Sequence, residues 1–177
     1  MDMHFTSFYY NTFKSSETFL FQGIKYHYIF HSYCTTWKNE RCAIIPIALD
    51  IVQKYTENGK NILEVGNVIS HVRSVVHDVV DKYEIADGVR NEDIAYYDTS
   101  KKYDLIISLV TIQHVGYTEF PRDPSKILRA MENLKNLLTP DGTIILLHGL
   151  ITRKKSMGKY SSQKVPITEL HLIESLI

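Results

Sequence analysis

The stretch NILEVGNVISHVRSVVHDVVDKYE, residues 61–84, decides how the rest of the chain is read. It opens on a short apolar run, Ile62 to Val65, that stops at Gly66, and a second valine-rich run begins at Asp78. Short apolar runs rich in β-branched residues and bounded by turn residues read as buried strands. The intervening segment, 67–76, reads as a loop and a short helix. Downstream, 89–94 (VRNEDI) holds a third, weaker strand, and 104–111 (DLIISLVT) a strong one. Residues 124–138 then form an amphipathic helix with Ile127, Leu128, Met131, Leu134, Leu137 and Leu138 on one face. After a turn at Pro140-Asp141-Gly142 comes a last apolar strand, 143–150. Strands alternating with helices or long loops predict an α/β fold with a mostly parallel sheet and right-handed crossovers. Continuous apolar runs such as LIISLV suit strands buried on both faces.

Upstream, Ile47, Ile51, Val52 and Tyr55 recur at helical spacing and Asn58-Gly59 ends the helix. Pro46 is read into its first turn, where a missing N–H does no harm. The first 34 residues are aromatic-rich and alternate in KYHYIFHSY (25–33), which suggests a short strand or an extended arm serving as a lid. Residues 35–150 form the main domain. Residues 151–177 read as a basic linker followed by a possible terminal helix at 166–177. That division suits a 177-residue chain with one compact core.

Net charge is zero, from 20 basic and 20 acidic residues, so nothing global points to nucleic acid or an anionic membrane as partner. No stretch has the apolar length of a membrane span and no basic, then apolar, leader opens the chain. Cys34 and Cys42 do not form a metal-binding spacing, so no metal is expected, and two reduced thiols fit a cytoplasmic protein.

Ligands of open α/β sheets bind at the carboxyl ends of the strands. Four groups fall at such ends here: Glu64 to Asn67, Asp81 with Glu84, Asn91 to Ile94, and Ser108 to His114. A glycine after the first strand lets backbone approach a ligand without a Cβ. An acidic residue after the second can accept ribose hydroxyls. An Asp followed by an apolar residue can bond an adenine amino group and pack against its ring. Each residue also has a plainer reading. Gly66 can be a turn glycine, Glu64 a partner for backbone or for Arg41, Asp81 a surface charge beside Lys82, and His114 a structural histidine.

Taken in order, ILEVGNVISH, DVVDKYE, NEDI, YDLIISLVTIQHVG and NLKNLLTPDGTIIL resemble the motifs of the class I S-adenosylmethionine-dependent methyltransferases, over roughly residues 26 to 148. The resemblance implies a Rossmann-like sheet of order 3-2-1-4-5, with that family's sixth and seventh strands missing. It implies S-adenosylmethionine as cofactor and a small-molecule or sugar-like methyl acceptor. Glu64, Gly66 and Asn67 then match the first motif, Asp81 the ribose-binding acid with Glu84 as rival, Asp93 and Ile94 the adenine pair, and Ser108 the fourth strand end. His114 matches the family's histidine and is the candidate general base. Arg41 is the candidate for the methionine carboxylate. Where the family has three glycines, this loop has Gly66, then Asn67 and Ser70, so it must be shaped differently. With five strands, the fifth lies at an edge, and a bare apolar edge invites pairing with the tail, a second copy of the chain or another partner. A non-catalytic binding or interaction module with an incomplete acceptor site is the alternative function.

Overall fold

The computed structural model describes residues 8–10, 12–149 and 170–175. The basic segment expected as a linker, up to residue 169, lies outside these. The chain divides into two units, one holding the residues up to Ile47 and one holding Ala48–Leu147.

In the first unit, β1 (Thr18–Phe21) and β2 (Ile24–His27) pair antiparallel. Gln22 and Gly23 join them, both at positive φ (47° and 78°). Two left-handed residues are what a tight hairpin turn needs to match strand twist. The aromatic arm is therefore a hairpin whose rings bury one another: Phe30 and Trp37 form a small core with Cys42 and Ala43, and Tyr10, Phe19 and Tyr28 pack on it. Tyr10 stacks on Trp37 at 5.9 Å and Phe19 tilts against Tyr28 at 4.8 Å. Burial, then the nearby Glu40, push the Cys42 thiol up to about 11, so it stays an inert core group.

Helix α1 runs Arg41–Glu57 and starts five residues before Pro46, so the proline is inside the helix rather than in its first turn. The carbonyl that Pro46 leaves without a donor belongs to Cys42. It accepts instead from the Ile29 N–H at 2.9 Å. A tertiary bond replaces the helical one, which is why the proline is tolerated.

The second unit is built on β3 (Ile62–Val65), β4 (Asp78–Val80), β5 (Val89–Arg90), β6 (Tyr103–Leu109) and β7 (Leu138–Gly149). Each of β3–β4, β3–β6, β4–β5 and β6–β7 is parallel. The sheet order is β5-β4-β3-β6-β7-β8, where β8 is Leu170–Ser175. Two expectations are corrected here. The sheet has six strands rather than five, with β8 outside β7, and residues 170–175 are a strand where a helix was expected. An unpaired edge of apolar β7 offers a ladder of backbone partners, and that outweighs local helix preference.

The predicted strands shrink at their carboxyl ends. The second stops at Val80 and the third at Arg90, so Asp81 and Asn91 to Ile94 are loop residues immediately past the strands. The connection from β3 to β4 holds only a 3-10 turn, Ile69–His71. Pro140-Asp141-Gly142 falls where β7 loses register with β6, between the pairs Tyr103↔Leu138 and Leu105↔Thr143, so turn and strand assignments meet in one irregularity.

Helix α2 (Lys126–Leu137) follows β6. Its buried positions are Lys126, Ala130, Leu134 and Leu137, one stripe at helical spacing, and Leu128 is 70% exposed. Of the expected face, Leu134, Leu137 and Leu138 are buried, Ile127 and Met131 are half-buried, and Leu128 alone turns outward, while Lys126 takes the buried position at the start. These residues close a core with Leu63, Val65, Val80, Ile94, Tyr97, Tyr103, Ile106 and Ile144.

Candidate functional site

The carboxyl end of β3 is organised by Glu64, which is fully buried (0% exposed). One carboxylate oxygen, Oε1, accepts the N–H groups of Val68 and Ile69, both at 2.9 Å. The other, Oε2, lies 2.9 Å from His77 Nε2, and the His77 side chain is itself 3% exposed. A buried charge needs partners for every lone pair it loses to water. Here two amides and an imidazole supply them, so Glu64 shapes the loop that follows and does not bond Arg41.

Within that loop Gly66 sits at φ +90°, and a Cβ there would fall 2.1 Å from Thr111 Oγ1. The loop thus packs directly against the end of β6. Asn67 is buried. Its N–H donates to Asp81 Oδ2 (3.1 Å), its side-chain amide donates to Glu84 Oε1 (2.7 Å), and its Oδ1 accepts from Ser70. Asp81 Oδ1 accepts from the N–H groups of Tyr83 and Glu84, both at 2.8 Å. A carboxylate has about four acceptor positions; Asp81 uses three. Glu84 also meets His71 Nε2 at 2.8 Å through Oε1, which leaves Oε2 without a partner among the described residues. One hydrogen-bonded network therefore joins Asp81 and Glu84 to Asn67.

Asp93 stands in a different network. Its Oδ2 is bonded by Lys126 and lies 3.0 Å from Lys82, and both lysines also reach Glu119 Oε2, at 2.6 and 2.9 Å. The four charges alternate in sign around a closed clasp that ties the ends of β4 and β5 to the loop after β6. Glu119 Oε1 accepts from Gly116 N–H (3.3 Å), and Gly116 C=O accepts from Asp123 N–H (2.9 Å). Burial alone would raise the Asp93 carboxyl, but Lys126 and then Lys82 outweigh it and hold it below the usual carboxylate range. Lys126, then Lys82, hold Glu119 down in the same way. Burial works against the Lys82 ammonium, yet Glu119 and Asp93 raise it above the ordinary lysine value.

The sign of the pH dependence follows. Both carboxyls have lowered folded values, so the clasp contributes fully above the unfolded carboxylate range, about 4, and fades as pH falls through the folded values. We expect amide protection in the 112–123 loop to persist at mildly acidic pH and to fail below it. In Lys126→Met, protection should fail at a higher pH. Hydrogen exchange against pH checks this, and a loop that opens identically in both proteins would show that the clasp does not hold it.

Ser108 is buried and donates to Val65 C=O (3.0 Å), while its Oγ accepts from Ile112 N–H (3.3 Å). Val110, two residues on, is a β-branched residue at φ 54°. Such backbone costs about 1–3 kcal/mol and clusters at functional edges. Ile94 is 5% exposed in the core and its carbonyl accepts from Asn133. His114 closes a 3-10 turn, Ile112–His114, and is exposed.

In the first unit, three buried polar atoms have no hydrogen-bond partner among the described residues: Trp37 Nε1, Glu40 Oε2 and Arg41 Nε. Buried groups of this kind are rare enough to demand an explanation. Arg41 was picked out in the sequence; Trp37 and Glu40 were not, nor were His77, Lys82 and Lys126. An acid inside an apolar strand signals that some cation must meet it, but only strand register shows which.

Several solved methyltransferases are similar to this chain in structure. An S-adenosylmethionine-dependent methyltransferase from Clostridium acetobutylicum matches at TM-score 0.39 and 17% identity, over 56% of this chain and 48% of its own. A sugar N-methyltransferase from Streptoalloteichus matches at 0.45 and 13%, over 81% and 62%. An amino pentose methyltransferase from Micromonospora echinaspora, solved with SAM bound, matches at 0.46 and 15%, over 74% and 61%. This chain therefore spans about half to three fifths of the length of these three proteins. At such identities and scores their individual residues do not transfer to this chain. No protein-family model matches the sequence. No curated protein matches it either.

Proposed function

We propose that this chain binds S-adenosylmethionine and belongs to a methyltransferase acting on a small-molecule or sugar-like acceptor. The observation that carries the reading is the orphaned set in the first unit. Trp37 Nε1–H and Arg41 Nε–H are donors suited to a carboxylate, and Glu40 Oε2 is an acceptor suited to an ammonium. Donors and an acceptor of these types are what a zwitterionic amino-acid end, such as that of S-adenosylmethionine, would satisfy. In the second unit, Asp81 keeps one acceptor position and Glu84 keeps Oε2, a pair suited to two neighbouring hydroxyls. Gly66 and Asn67 set the loop beside them, and Ser108 fixes the adjoining strand end. Bound S-adenosylmethionine supplies a methyl group on a sulfonium, so the protein's task is chiefly to align an acceptor, and His114 is the side chain offered for taking its proton.

A second reading, a non-catalytic binding or interaction module with an incomplete acceptor site, is favoured by the clasp. Asp93 gives one oxygen to two lysines and Ile94 gives its side chain to the core, so the adenine pair contributes little beyond one remaining lone pair.

Calorimetric titration with S-adenosylmethionine, S-adenosylhomocysteine, methylthioadenosine and NAD tests the proposal. We expect micromolar binding of the first two. Methylthioadenosine, which lacks the amino-acid end, should bind at least tenfold more weakly, a loss of about 1.4 kcal/mol. NAD should not bind. Arg41→Met should erase the difference between S-adenosylhomocysteine and methylthioadenosine. Asp81→Asn is a better probe than alanine, which would also release three backbone N–H groups. A folded protein that binds none of the four would sink the methyltransferase reading and leave the non-catalytic interaction module.

A further inference from the structure

We propose that a cavity of about 340 Å³ between α1 and the connection leading into β4 is a second small-molecule site, which takes an amphipathic ligand offering a hydroxyl or amine donor to His77. The volume lies within the range of sites for small ligands. One wall comes from α1, with Leu49, Val52, Gln53 and Thr56, and the other from Ile69 and residues 73–77. The latter stretch ends where β4 begins, so the cavity lies beside the start of β4.

His77 gives this cavity its chemistry. Its Nε2 is committed to Glu64 Oε2 at 2.9 Å. A carboxylate only accepts, so the Nε2 must carry the proton, and the neutral ring then presents Nδ1 as a lone pair. Among the described residues Nδ1 has no partner, and the residue lines the cavity wall. A buried carboxylate fixing the tautomer of a histidine that faces a cavity is an arrangement proteins use to present an oriented imidazole. Leu49, Val52, Ile69, Val75 and Val76 supply an apolar surface for the ligand's body. An acceptor at a wall that mixes these apolar side chains with Gln53, Thr56, Glu57, Arg73 and Ser74 selects a compact amphipathic alcohol or amine.

The site is wired to the loop above it. Glu64 holds His77 with one oxygen and the N–H groups of Val68 and Ile69 with the other. Ile69 itself lines the cavity. A ligand on His77 therefore acts one carboxylate away from Asn67. The site does not depend on whether S-adenosylmethionine binds.

The experiment is an NMR titration of the full chain with cyclohexylamine and cyclohexanol, with the histidine nitrogens and valine methyls observed. We expect a saturating shift of His77 Nδ1, together with the methyls of Val52, Val75 and Val76, at millimolar concentration, the affinity reachable by a probe this small. His77→Lys keeps a donor able to reach Glu64 but has no acceptor atom, and it should lose the saturation at the valine methyls. Leu49→Trp narrows the cavity without touching His77 or Glu64, and it should lose it too. Absence of any saturating shift in the folded wild-type protein, or unchanged shifts in Leu49→Trp, would overturn the proposal. An identical methyl response in wild type and His77→Lys would leave a cavity without the donor preference and would overturn the assigned chemistry.

Discussion

Replacing Gly66 with alanine is expected to destabilise the second unit by about 3 kcal/mol or more, the sum of a disallowed backbone and an overpacked contact. Gly66 has φ +90°, and an added Cβ would lie 2.1, 2.6 and 2.7 Å from Thr111 Oγ1, Cβ and Cγ2. Thr111 cannot swing aside freely, since its Oγ1 donates to Leu109 C=O and it stands at the end of buried β6. Gly66 N–H also donates to Val80 C=O (2.8 Å), so the clash sits where β3 is tied to β4. The two causes can be separated. Thr111→Gly removes every atom of the clash and leaves the backbone angle, so the double variant should recover part of the loss. Urea denaturation of the four proteins of the cycle measures this. If Gly66→Ala costs under about 1 kcal/mol, the loop is not packed against Thr111 as described.

Glu64→Leu should cost a similar amount, about 3 kcal/mol or more, because each buried donor left without an acceptor carries about 1–3 kcal/mol of desolvation. Three donors would lose their acceptor: two backbone N–H groups and His77 Nε2. Glu64→Gln is the informative companion. Its carbonyl can still accept from Val68 and Ile69, and its amide can donate to His77 once the ring changes tautomer. The loss should fall to less than half that of the leucine variant. Equal losses in the two variants would mean that the negative charge on Glu64, not the hydrogen-bond pattern, holds the loop. Comparable stability of wild type and Glu64→Leu would refute the organising role altogether.

The two expectations bear on how the chain is read. Gly66 and Glu64 were visible as a pair at the end of a short apolar run, and the usual inference takes both toward a ligand. The structure places both in the scaffold: the glycine accommodates Thr111, and the acid is a three-bond hub at 0% exposure. The groups left open for a ligand are others: Glu84 Oε2, the last acceptor position of Asp81, and the orphaned atoms of Trp37, Glu40 and Arg41.

Hydrophobic pattern was enough to place β3, β4, β6 and β7 and helix α2, since continuous apolar runs and a period near 3.6 are local properties of the sequence. It also placed Asp81, Asp93 and Ser108 at or just beyond strand ends. Tertiary structure decided the rest. Pro46 could sit inside α1 only because Ile29, distant in sequence, takes the carbonyl it leaves free. Residues 170–175 became a strand because the sheet offered an edge. Lys126 was buried on an apolar stripe because Asp93 and Glu119 meet it there. His77 faces Glu64 because two parallel strands stand in one register and no other. Each of these depends on a partner far along the chain, and a local pattern carries no information about such a partner. Burial then makes the pairing obligatory, since a charge or a backbone group removed from water must find a match inside the protein.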